Sequence, residues 1–164
     1  MFGYYSVDVQ KTFGETVPVL NNDKYLTTVG SVAAVFNAIR FIWSAFLDKY
    51  SYKKVYGVLL LIQICVALTM KFAIKSKFTY ATWICIALFC EGGHFTLVPN
   101  ILKKIYGEQA TGLYGVAITF TGLTSLMMIP LLETALGKDY IIFYLLTACF
   151  STVSLIILTF FFTE

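Results

Sequence analysis

Five runs of about twenty apolar residues govern what this sequence can fold into: 26–47, 55–74, 78–100, 110–132 and 140–162. A hydrocarbon core about 30 Å thick is crossed by roughly 20 residues of α-helix, so each run is long enough to span a bilayer. None shows the two-residue alternation of a barrel strand, and a backbone in lipid must satisfy its own hydrogen bonds, which leaves helices. The separators at 48–54, 71–77, 101–109 and 133–139 carry the charges and breakers. Tyr25, Tyr50, Tyr52, Tyr56, Tyr80, Trp83, Tyr106 and Tyr140 gather near the run ends, as an interfacial aromatic belt does. The expected fold is an all-α integral membrane protein of five transmembrane helices.

Composition agrees. The chain is 59% hydrophobic and 13% charged, against about half and about a quarter in soluble domains. Too few charged side chains remain to cover a water-facing surface, which excludes a soluble enzyme. No nucleophile–base pair or glycine-rich phosphate loop occurs, so no enzymatic chemistry is read from the sequence. The net charge of +3 is scattered between apolar runs, with no basic face to follow a phosphate backbone, so no nucleic-acid partner is expected. Cys65, Cys85, Cys90 and Cys149 all lie in apolar runs and form no Cys-x-x-Cys, and a single histidine cannot complete a zinc set. No metal or other cofactor is expected.

Residues 1–25 differ from the rest. Asp8, Lys11, Glu15 and Asp23 interrupt them, so this segment reads as a stub and extramembrane loop, with the membrane domain at 26–164. It has neither the basic start and apolar centre of a secretory signal nor the Arg-rich pattern of a transit peptide. Lysines divide almost evenly between the two sides. Lys49, Lys53, Lys54, Lys103 and Lys104 crowd two short loops, which favours the cytosol for that side.

Information about function lies in the polar residues of the runs. Asn37, Arg40, Ser44 and Asp48 recur at i, i+3, i+7 and i+11, one stripe of a continuous helix. An arginine at helix centre costs about 2.5–3.5 kcal/mol on insertion scales, so Arg40 should face protein or water: it either snorkels or pairs with Asp48, or it faces a substrate. Gly30, Ala34 and Ala38 form a small-residue ridge suited to helix contact. The third run holds Glu91-Gly92-Gly93-His94. At about 1.5 Å per residue, Glu91 and Arg40 reach a similar depth of about 20 Å, which places them in one polar interior where they can pair. A Glu-x-x-His metal site needs a second copy and further carboxylates that this chain lacks. The paired glycines let a neighbouring helix or a ligand approach the backbone. Gly112, Gly115, Thr119 and Gly122 give a second small-residue face.

The run from Asn37 to Lys54, with Arg40, Ser44, Asp48, Lys49, Ser51, Lys53 and Lys54, resembles the loop between the eighth and ninth helices of major facilitator superfamily transporters. That loop holds a degenerate Gly-x-x-x-Asp-Arg/Lys-x-Gly-Arg-Lys motif. Asp48 and Lys49 match it, serines stand at both glycine positions, and the trailing basic pair is displaced by a residue. Glu91-Gly92-Gly93-His94-Phe95, Pro99, Tyr106-Gly107, Gly112 and Tyr114-Gly115 look like the tenth and eleventh helices of the oxalate/formate and monocarboxylate antiporter-like branch.

The resemblance implies helices eight to twelve of such a fold, without its N-terminal half and most of helix seven. It implies gate positions at Arg40, Asp48 and Lys49 and cavity-facing polar groups at Asn37, Glu91 and His94. A bundle without an opposing half has nothing to rock against. The expectation is therefore a transporter-derived half-bundle that does not transport alone. It would act either as a structural or accessory subunit of a larger membrane complex or as a partner-dependent transporter half. The alternative is a secondary transporter of small carboxylates once paired with a second half. Expected partners are the lipid bilayer and other membrane subunits. Membership of a respiratory-type complex would place the chain in the mitochondrial inner membrane.

Overall fold

A computed structural model describes residues 17–136 and 140–162, excluding the side chains of 124–136, 140 and 143. A 3₁₀ turn at Pro18–Leu20 leads into α1 (Asp23–Ala38), α2 (Phe41–Leu47), α3 (Tyr52–Ala73) and α4 (Lys77–Tyr106). A second 3₁₀ turn, Gly107–Gln109, precedes α5 (Ala110–Leu136) and α6 (Tyr140–Phe160). The described residues contain no strand. Three stretches, Asp23–Leu47, Tyr52–Ala73 and Lys77–Leu123, are long and apolar enough to cross a membrane, and Tyr144–Phe160 is a shorter apolar helix. Among the described residues the fold is all-helical with three candidate spans, where the sequence suggested five.

Local chemistry sets the boundaries. The Asn22 side chain caps α1 by accepting the Tyr25 N–H at 3.0 Å, satisfying one of the open donors of the first turn. α4 ends on Gly107 at φ +56°, a left-handed conformation that costs glycine nothing. At about 1.5 Å per residue α4 is about 45 Å long, more than the hydrocarbon thickness. It runs past the expected end at 100, taking Pro99 into its interior and Lys103 and Lys104 into its last turn.

The first apolar run is not one helix. From Arg40 to Trp43 the hydrogen bonds shorten to i→i−3, with Arg40 N–H to Asn37 C=O at 3.3 Å, Ile42 N–H to Ile39 C=O at 3.1 Å and Trp43 N–H to Arg40 C=O at 3.0 Å. This tighter turn separates α1 from α2 and breaks the single stripe expected of Asn37, Arg40, Ser44 and Asp48.

α4 is the central element. α1, α2, α3 and α5 all pack against it, and α6 packs along α3. Two apolar clusters hold the bundle. One joins Leu26, Val29 and Ala33 of α1 to Met70 and Ala73 of α3 and to Tyr80 and Ile84 of α4. The other, towards the opposite end, joins Trp43 to Leu59 and Leu60 of α3, Cys90 and Leu97 of α4 and Leu158 of α6. Gly30 has nothing within 4 Å of where a side chain would begin. The face that α1 buries is therefore Leu26, Val29 and Ala33, not the expected Gly30–Ala34–Ala38 ridge. The Gly112, Gly115 and Gly122 positions of α5 are equally open.

Candidate functional site

The middle of α4 carries the polar residues. Successive α-helical positions turn by about 100°, so Glu91, Gly92, Gly93 and His94 point to four directions around the axis. Gly92 meets α1: a Cβ there would lie 2.7 Å from the Asn37 carbonyl oxygen and 2.9 Å from the Arg40 Cβ. Gly93 meets α2 and α3: a Cβ there would collide with Leu59 Cδ1 and lie 2.9 Å from the Trp43 indole nitrogen. That indole donates to the Phe89 carbonyl at 3.0 Å, and its ring stacks on Phe89 with centroids 5.0 Å apart. Of the two uses the sequence allows for these glycines, close helix approach is the one present.

His94 faces α3. Its Nε2 lies 2.8 Å from Gln63 Oε1 and its Nδ1 lies 3.0 Å from the Tyr56 hydroxyl. An amide oxygen only accepts, so the ring proton sits on Nε2, and Nδ1 accepts the tyrosine hydrogen. The neutral ring is thereby satisfied on both nitrogens, as an imidazole within an apolar bundle must be. The Tyr56 ring also meets the imidazole edge-on, centroids 5.4 Å apart, and stacks on Tyr52 at 5.2 Å.

Asn37 ends α1 half-buried, while Arg40 is exposed at the α1–α2 junction. Glu91 is half-buried and lies next to Gly92, so α1 brings Arg40 close to its part of α4. No ion pair joins Arg40 to Glu91 or to Asp48 among the described residues. Asp48 and Lys49 are exposed at the end of α2. Among the described residues no group of three or more His, Cys, Asp or Glu could hold a metal ion.

Sequence reasoning missed Tyr56 and Gln63 as partners. Gln63 is the only side-chain amide in 55–74, seven residues after Tyr56 and so on one helix face with it. That spacing was the available signal, but Tyr56 reads equally as an interfacial aromatic.

The described residues define a helical protein with membrane-length stretches and a polar middle; comparison with known proteins adds a partial similarity. Over 93 residues, 55% of its length, the chain is 30% identical to apicoplast pyruvate carrier 1 of Toxoplasma gondii. It spans 17% of that carrier's own length. No family profile matches the chain, and no solved structure does. The resemblance to the C-terminal half of a major facilitator transporter of the oxalate/formate branch is corrected accordingly. No profile supports it, and the similarity found is a partial one to a protein named for pyruvate. The matched protein is named as a carrier, consistent with the expectation of no enzymatic activity. The gate roles of Arg40, Asp48 and Lys49 are implied by that motif alone, and no contact among the described residues bears on them.

Proposed function

We propose that this chain is the helical bundle of a partner-dependent membrane carrier for small carboxylates. Residues 26–164 form its membrane domain, crossing the bilayer five times, and 1–25 lie outside. The observation that carries this reading is the His94 cluster: a histidine held between Tyr56 and Gln63 at the centre of a helix of membrane length. Ionisable and polar side chains at such depth are costly and concentrate along substrate and proton paths. The similarity to a pyruvate carrier supports the same reading.

In this reading Arg40 is the cation that meets a substrate carboxylate, whose planar geometry suits a guanidinium fork. Asn37, Glu91 and His94 supply the other polar groups of the path. Dependence on a partner is supported by the open glycine face of α5, because small-residue faces are where membrane helices approach one another. That face also favours a second reading, an accessory subunit that packs against other helices and carries nothing.

Uptake of labelled pyruvate into liposomes tests the proposal, with the purified chain alone and with whatever membrane proteins co-purify in mild detergent. Uptake by the joint preparation that Arg40→Ala or Glu91→Ala abolishes supports the carrier. Full uptake by the solitary chain overturns partner dependence. Stable co-purification without uptake supports the accessory subunit.

A further inference from the structure

The α2–α3 turn and the end of α4 enclose a cleft of about 170 Å³. Its lining includes the hydroxyl-bearing Tyr50 and Ser51, Lys104 and the apolar Leu47 and Ile101. Lys103 precedes Lys104 in the last turn of α4, and Lys49 and Lys54 flank the turn that carries Tyr50 and Ser51. Lys53, also at this end, donates instead to carbonyls of the α6 terminus. Lys104 is the charged residue of the cleft lining; Lys49, Lys54 and Lys103 neighbour the lining in sequence, against Asp48 and Glu108, so the surrounding charge is net positive. α3 starts here with no side-chain cap on Ser51, which turns the positive end of a 22-residue helix towards the same place.

Depth identifies the ligand. Lys104 lies about 40 Å along α4 from Lys77, beyond a hydrocarbon core of about 30 Å, so the cleft opens at headgroup level. Leu47 closes the first membrane-length stretch, and with Ile101 it gives the cleft an apolar lip below its charges. A free anion has no use for that lip; a phospholipid has a phosphate for the lysines and glycerol and acyl carbons for the leucine and isoleucine. We propose that this cleft seats the headgroup of an anionic phospholipid, a binding site separate from the His94 cluster.

The test uses the full chain in nanodiscs of phosphatidylcholine containing a minority of phosphatidylglycerol, with retained lipid counted by native mass spectrometry. Preferential retention of phosphatidylglycerol is expected. Each of Lys103→Gln and Lys104→Gln should reduce it about five-fold, the value of one lysine at an anionic surface. Lys71→Gln and Lys75→Gln, at the other end of α3, should leave it unchanged. Helicity by circular dichroism and binding of a spin-labelled phosphatidylglycerol are followed on each variant, so a folding defect is separated from a binding one. Equal retention of both lipids, or an equal loss in the Lys71 and Lys75 variants, overturns the proposal. Binding of inorganic phosphate in pure phosphatidylcholine discs with the same Lys103 and Lys104 dependence also overturns it, in favour of a soluble anion.

Discussion

Gly93 and Trp43 are joined by an absence: the indole nitrogen lies 2.9 Å from where the first side-chain carbon of residue 93 would stand. One residue earlier, Gly92 gives the same room to the backbone of Asn37. Adding a methyl group is therefore destabilising at both positions, by about 1–3 kcal/mol for overpacking of this kind. Gly92→Ala should cost more than Gly93→Ala, because its obstacle is a backbone carbonyl that cannot rotate away. Gly93→Ala should be partly rescued by Leu59→Ala, which withdraws the methyl it strikes. Gly115→Ala on the open face of α5 should gain about 0.5–1 kcal/mol, the ordinary helix preference for alanine. Thermal unfolding in detergent gives the order; equal losses at all three sites would contradict it.

His94 and Gln63 form one of the side-chain hydrogen bonds that tie α4 to α3. Interhelical hydrogen bonds in membranes have measured couplings averaging about 0.6 kcal/mol, with a maximum near about 1.7. A double-mutant cycle of His94→Ala and Gln63→Leu should fall in the upper part of that range, since the imidazole is also engaged by Tyr56. Gln63→Leu alone should destabilise, because it strands the Nε2 proton. A coupling of zero would mean that the two side chains do not bond in the folded protein.

Much of this architecture is readable from the residues, and the parts that are not share a cause. α3 and α6 lie within a few residues of the apolar runs at 55–74 and 140–162, whereas α5 continues through Glu133 to Leu136. The break between α1 and α2 has no proline or glycine to announce it in Asn37-Ala38-Ile39-Arg40-Phe41. It coincides with tertiary contact, where Arg40 and Trp43 seat against Gly92 and Gly93. For the same reason the Asn37–Asp48 stripe, drawn as if one helix continued, places Arg40 wrongly. Depth counted along the axis brought Arg40 and Glu91 to the same level, but an ion pair also depends on rotation and rotamer, which spacing does not encode. The His94 cluster joins residues 31 and 38 positions apart, and no periodicity within one helix selects such partners.

Lys53 links the start of α3 to the end of α6, donating to the Thr159 carbonyl at 2.8 Å and the Phe162 carbonyl at 3.1 Å. The last carbonyls of a helix lack intrahelical partners and carry its negative end, so an ammonium there both bonds and neutralises. Lys53→Met should cost about 1–2 kcal/mol, between a dipole interaction and a hydrogen bond to a charged group. Lys54→Met, an exposed neighbour, should stay within about 0.5 kcal/mol of wild type. Amide exchange in the last turn of α6 should rise in the first variant only; a uniform rise in both would point to general loosening.

Tyr80 stands out on opposite grounds. It is fully buried in the cluster of α1, α3 and α4, and its hydroxyl has no hydrogen-bond partner among the described residues. A buried hydroxyl left unpaired costs about 1–3 kcal/mol, whereas its ring contributes packing that phenylalanine reproduces almost completely. Tyr80→Phe should therefore raise the unfolding midpoint, by the equivalent of about 1 kcal/mol once the small void left by the oxygen is set against the relief. Tyr80→Ala separates ring from hydroxyl: it should cost about 3–5 kcal/mol, as deletion of a buried aromatic ring does. If Tyr80→Phe lowers the midpoint instead, the hydroxyl has a partner in the folded protein, and this end of the bundle is polar rather than dry.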